Sequence, residues 1–199
     1  MALPQKQEFY TYADLLGWET TARFELYEGE PVALASPSDE HQRLLGELFV
    51  QFRSFTEGKP CQVRFAPLDV RLFQGAEDRP DRVDTVVQPD LLVVCDRDKL
   101  DRHGVRGAPD FVLEITSPAT RRYDLSYKFR LYQRAGVREY WIVDPEAKVI
   151  QTFVLENGRY MVQSFDQENG MAPVSIFDGL EIDLIAVFGP PEEETRDEP

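Results

Sequence analysis

Cysteine and histidine are scarce in this chain, with two of each in 199 residues. A zinc centre of thiolates and imidazoles is therefore poorly supplied, while Asp and Glu leave an oxygen-ligand site open. Cys61 and Cys95 sit in apolar, strand-like runs, where two buried thiols in a reduced compartment are expected. No apolar run approaches the roughly 18 residues of a membrane span. The N-terminus MALPQKQEFYTY has no apolar h-region, so no signal peptide is readable. A soluble, cytoplasmic protein away from membranes is expected. Positive charge is in deficit as well: 22 Lys and Arg against 36 Asp and Glu give a net charge of −14, which argues against loose, charge-driven binding along a nucleic acid backbone. The deficit is uneven. Residues 97–138 hold ten Lys or Arg and five Asp or Glu, a local basic excess inside an acidic chain.

What is present suits one domain over residues 1–189, followed by a Pro- and acid-rich tail, 190–199, expected to be disordered. Residues 11–17 predict a short helix. RFELYEG and EPVALAS predict two strands turning at Glu28-Gly29. Ser38, with Asp39 and Glu40 after it, opens a helix whose Leu44, Leu45, Leu48, Phe49, Phe52 and Phe55 recur at helical spacing. Strands are predicted at 61–66, 68–73, 91–95, 111–116 and 139–144, with loops over 74–88 and 96–109. A helix is predicted from Asp124 to Ala135, stopped by Gly136. Asn157-Gly158 marks a C-terminal β-hairpin. The order predicts an α/β or α+β fold: a mixed central sheet flanked by helices, with a β-hairpin near each end.

Two carboxylates break otherwise apolar runs. Asp90 enters the strand Leu91–Cys95, and Glu114 interrupts Phe111–Ile115. A carboxylate in a buried strand is costly unless it is paired or holds a cation. If the two strands are antiparallel neighbours across the 96–109 connection, Asp90 falls beside Glu114. Their repulsion favours a shared proton or a divalent metal, and oxygen ligands suit magnesium. Lys128 is the third candidate. On a wheel of about 100° per residue it lies at about 300°, inside the arc of Leu125, Phe129, Tyr132 and Ala135. A lysine on an apolar face suits a cation that serves a metal-bound water or a phosphate; a salt bridge with Asp124 is the bland alternative. On the first reading, Lys128→Met keeps the apolar stem and costs the fold about 1 kcal/mol or less.

PDLLVV, FVLEITSPAT and DLSYKFRLYQRAGVREYWIVDP, with FELYEGEPVALASPSDEH before them, resemble the bacterial Uma-two family of "putative restriction endonucleases" over roughly residues 10–188. That resemblance implies a PD-(D/E)XK restriction-endonuclease-like core. Asp90 matches the Pro-Asp aspartate and Glu114 the (D/E)XK acid. The lysine expected two residues after Glu114 is Thr116, and Lys128 on the following helix takes its place. Glu30 and His41 match further family positions, Glu30 as an additional metal ligand. The implied activity is that of a metal-dependent endonuclease acting on nucleic acid, most naturally DNA. Asp90, Glu114 and the Ile115 backbone carbonyl would hold Mg²⁺, or Mn²⁺ in its place. A homodimer is compatible with a domain this small, which cuts one strand at a time. The rival is an inactive nucleic-acid or protein binding module on the same fold.

Overall fold

The computed structural model describes residues 9–75, 78–117 and 124–190. Along the chain run α1 (Tyr12–Leu16), the hairpin β1 (Phe24–Tyr27) and β2 (Glu30–Ala33), and α2 (Asp39–Thr56). Short strands follow: β3 (Gln62–Phe65), β4 (Val70–Arg71), β5 (Val86–Val87), β6 (Leu91–Val94), β7 (Leu100–Asp101) and β8 (Gly104–Arg106). Next come β9 (Phe111–Ile115), α3 (Phe129–Ala135), β10 (Glu139–Asp144), β11 (Val149–Glu156) and β12 (Arg159–Asp166). The chain closes with β13 (Met171–Pro173), β14 (Glu181–Asp183) and α4 (Leu184–Phe188).

Strands β6, β9 and β10 have no polar face to offer water, and every residue in them is buried. They form the middle of a six-stranded sheet ordered β12-β11-β10-β9-β6-β3. The β9–β10 pair is parallel, joined by the α3 crossover, and its other pairs are antiparallel. One face carries Phe111, Leu113, Trp141 and Val143 against Leu44, Leu48 and Phe52 of α2 and the C-terminal Ile182 and Leu184. The other carries Leu92, Val112, Tyr140 and Ile142 against α3 and against Val70, Val87 and Val105 of a second sheet. The mixed α+β sandwich expected from the sequence is thus present. Among the described residues no helix is long and apolar enough to cross a membrane.

The local signals acted as the chemistry requires. Ser38 Oγ accepts from His41 N at 3.2 Å, capping α2, and Asp39 and Glu40 lie at the positive end of its dipole. Asn157 (φ 50°) and Gly158 (φ 79°) turn the hairpin between β11 and β12 in the left-handed pair such a turn needs.

Three expectations are corrected. The second sheet, β2-β1-β5-β4-β8-β7, was not foreseen: β1, β2 and β4 fall on predicted strands, but β5, β7 and β8, which join them into a sheet, are too short to show periodicity. It takes β5 from the 74–88 segment and β7–β8 from 96–109, both expected to be loops; residues 76 and 77 lie outside the described set. Gly104 is what lets β8 approach: a Cβ there would stand 2.1 Å from the Asp69 carbonyl oxygen. The strands predicted at 61–66 and 68–73 are separate ones, as Pro67 between them suggests, and lie in different sheets. Finally, Cys61 and Cys95 are not free thiols but a disulfide, since the β3–β6 register sets them opposite each other just beyond the Gln62↔Val94 pair. The tail beyond Pro190 lies outside the described residues.

Candidate metal and active site

The register of β6 on β9 pairs Leu91 with Leu113, so one step further Asp90 stands beside Glu114, as antiparallel neighbours require. Ile115 N donates to Asp90 Oδ2 at 2.8 Å, and His41 Nε2 lies 3.1 Å from the same oxygen. Glu114 shares its sheet face with Val112 and points toward α3. Its Oε1 accepts from Lys128 Nζ at 2.9 Å and from the Tyr132 hydroxyl at 2.7 Å. All these contacts fall on one oxygen of each carboxylate. Among the described residues, no hydrogen bond reaches Asp90 Oδ1 or Glu114 Oε2.

Lys128 closes a single π-helical turn, Asp124–Lys128, that leads into α3. The turn sets both its end residues inward, and both are buried. The Lys128 ammonium therefore meets three carboxylates: Glu114 at 2.9 Å, Glu25 at 3.6 Å and Asp124 at 3.6 Å. The pairing with Asp124 expected from the sequence is present, beside two further carboxylates. Glu25 enters from β1, where it accepts from Gln88 N at 2.7 Å and from the Tyr27 hydroxyl.

Burial pushes the Glu114 carboxyl well above the usual range, and the carboxylates of Asp90, Asp124 and Glu25 push it further; Lys128 opposes them. Burial pulls the Lys128 ammonium down, but Glu114 and Glu25 outweigh it and hold it well above the usual lysine range. Among the described residues the cluster is thus a buried group of carboxylates around one ammonium. It opens into a cavity of about 360 Å³ lined by Glu25, His41, Asp90, Glu114, Lys128 and Asp144 among others.

The structure gathers Asp90, Glu114, Ile115, Lys128 and His41. It does not bring in Glu30, which is exposed on β2 and absent from the cavity wall. The acid that this hairpin sends inward is Glu25, buried with its neighbours Leu26 and Tyr27. Of the described cations in the 97–138 basic island, only Lys128 lines the cavity. Arg134 pairs with Glu28, Arg138 with Asp110, and Lys99 donates to the Ala108 carbonyl, so local partners spend much of that charge. Arg121 and Arg122 lie outside the described residues.

A model of the Uma2 family, described as "Putative restriction endonuclease", matches residues 7–185. The chain belongs to the Uma2 family. Its fold resembles a crystal structure described as "a putative nuclease belonging to DUF820" from Anabaena variabilis ATCC 29413, with a TM-score of 0.70 and 19% identity, over 89% of this chain and 97% of that one. The Uma2 chain is also 28% identical over 122 residues to "Uncharacterized protein slr1290" of Synechocystis sp.. That match spans 60% of the length of each protein.

Glu25 is the site residue that sequence reasoning missed. In FELY it alternates with apolar neighbours, and an alternating acid reads as a solvent-facing one. The available signal was weaker: an acid enclosed by Phe24, Leu26 and Tyr27 beside a hairpin turn.

Proposed function

We propose that this protein hydrolyses phosphodiester bonds in nucleic acid, with DNA as the preferred substrate, using a divalent cation. The observation that carries the reading is the meeting of Asp90 and Glu114, each with one oxygen that accepts no hydrogen bond from the described residues. Among the described residues no three acidic, histidine or cysteine side chains form a preformed metal cage. Two carboxylates, one carbonyl and waters are the sparse oxygen set that magnesium takes, and manganese can replace it. The Ile115 N–H faces Asp90, and in a strand a residue's carbonyl points to the same side. Asp90, Glu114 and the Ile115 carbonyl would then hold the cation, relieving the excess negative charge. When bound, it supplies a polarised phosphate and an acidified water.

The chain's own residues do the rest. Lys128, charged and held by three carboxylates, orients the attacking water and offsets charge growing on the phosphate; its ion pairs suit it to this electrostatic role rather than to taking a proton. Tyr132 and Glu25 fix the two ends of that Lys128–Glu114 pair. His41, reaching Asp90 from α2, orients the Asp90 carboxylate.

Cleavage of single-stranded DNA, duplex DNA and RNA should be assayed with Mg²⁺ or Mn²⁺, with and without chelator. Metal-dependent cutting that disappears in both Asp90→Asn and Glu114→Gln is the expected result. Cutting that survives in both variants would contradict the proposal. Binding without cutting by the wild type would favour the inactive module instead.

A further inference from the structure

The sheet edges are not treated alike. An unpaired strand edge is a template for another strand, and proteins blunt it with short length, proline, charge or cover. At one end of the central sheet, β3 has four residues, lies between Pro60 and Pro67, and is covered by its own Arg64, whose guanidinium donates to the Val63 carbonyl at 2.8 Å. In the second sheet, β2 carries Pro31 and β7 has two residues. The remaining edge of the two six-stranded sheets, β12, has eight residues, no proline and no glycine, and no charge between Arg159 and Asp166. Met161 and Val162 are 56% and 58% exposed on its opposite faces.

The hydrogen-bond parity of β12 shows where a partner would bond. Tyr160 N donates to Gln133 Oε1 and Asp166 N to Asn169 Oδ1, so the even-numbered amides point away from β11. Those two are occupied from within the chain. Between them, the outward N–H and C=O groups of Val162 and Ser164 meet no partner among the described residues.

We infer that β12 is a self-pairing edge, on which a second copy of this chain adds its own β12 antiparallel about a two-fold axis at Gln163. In that register Val162 exchanges backbone hydrogen bonds with the second copy's Ser164, and Ser164 with its Val162. Only the free groups are used, and the bonds of Tyr160 and Asp166 survive. Met161 then lies opposite the second copy's Phe165 on one face, which covers exposed apolar surface. The uncharged stretch 160–165 provides a neutral line of contact on a chain of net charge −14, where charged faces of two copies would repel. The interface is isologous and closed, so it makes a dimer and not a fibre.

Sedimentation or light scattering of the full chain across a concentration series should show a dimer. Val162→Lys, at an exposed position, should shift it to monomer with the melting temperature retained. Val162→Pro removes an outward N–H that β11 does not use, and should do the same. Gln163→Cys, on the axis, should cross-link to itself under mild oxidation, whereas Arg159→Cys should not. A wild type that stays monomeric at its highest soluble concentration would overturn the inference. So would a dimer that persists in both Val162 variants, or one in which Arg159→Cys cross-links and Gln163→Cys does not.

Discussion

Two buried glutamates sit on adjacent parallel strands, Glu114 on β9 and Glu139 on β10, and their surroundings differ in kind. Glu139 faces the aromatic side of the sheet, where Trp141 packs with Phe52 and Phe111. Neutral donors serve both its oxygens: Trp141 Nε1 at 2.7 Å, Ser175 N at 3.2 Å and Ile176 N at 2.9 Å. Burial raises its carboxyl and those three hydrogen bonds pull it back. Glu139 thereby ties the sheet to the C-terminal segment. Glu114 faces the other way, shares one oxygen between Lys128 and Tyr132, and stands among Asp90, Asp124 and Glu25. A buried acid with all its bonds made is a structural cross-link. One that keeps an oxygen free within a cluster of carboxylates has capacity for a ligand.

Lys128 gives the largest expected break in this comparison. The sequence predicts a nearly neutral Lys128→Met, but the three carboxylates around the ammonium overturn that expectation. Removing the one ammonium that the described residues place in this buried cluster should cost about 3–5 kcal/mol. Chemical denaturation checks it, and Glu114→Gln in the same chain should restore part of the loss. A double variant no more stable than Lys128→Met would deny the coupling.

Glu139→Ala should come next, at about 1–3 kcal/mol, because it leaves the buried Trp141 N–H without an acceptor and breaks the bonds to the less buried amides of Ser175 and Ile176. Nuclease activity per folded molecule should be unchanged. Activity that vanishes while the protein remains folded would make Glu139 part of the site.

The folding signals near the site were legible because they are local. Asp90 and Glu114 each mark an apolar run, and the antiparallel neighbour relation brings them together with no further information. Glu139 had the same signature, an acid opening the run EYWIV, yet its role depends on Ser175 and Ile176, more than thirty residues away in sequence. Glu25 was hidden for the same reason: its burial comes from β5 pairing with β1 and from Lys128 on a later helix. The disulfide too required a register that no spacing reveals. Apart from the short strands β5, β7 and β8, whose local signal is too brief to read, what was missed lies in long-range partners.

A smaller effect separates the glutamates by pH. Each has a folded-state pKa above the ordinary carboxyl value of 4.5. Such a group contributes stability that is fully present below that value and is lost as pH rises through its raised folded pKa. The melting temperature should therefore decline as pH climbs from the ordinary carboxyl range. Glu114→Gln should flatten that decline more than Glu139→Gln, since neighbouring carboxylates add to burial only at Glu114. Equal flattening would remove the electrostatic distinction between the two sites.

The proposed cation site of Asp90 and Glu114 can be observed without any assay of cleavage. Crystals soaked in Mn²⁺ and measured at a wavelength giving anomalous scattering test it most directly. An anomalous peak is expected between the Asp90 and Glu114 carboxylates, within reach of the Ile115 carbonyl and absent in Glu114→Gln. No peak there, or a peak that persists unchanged in that variant, would contradict it.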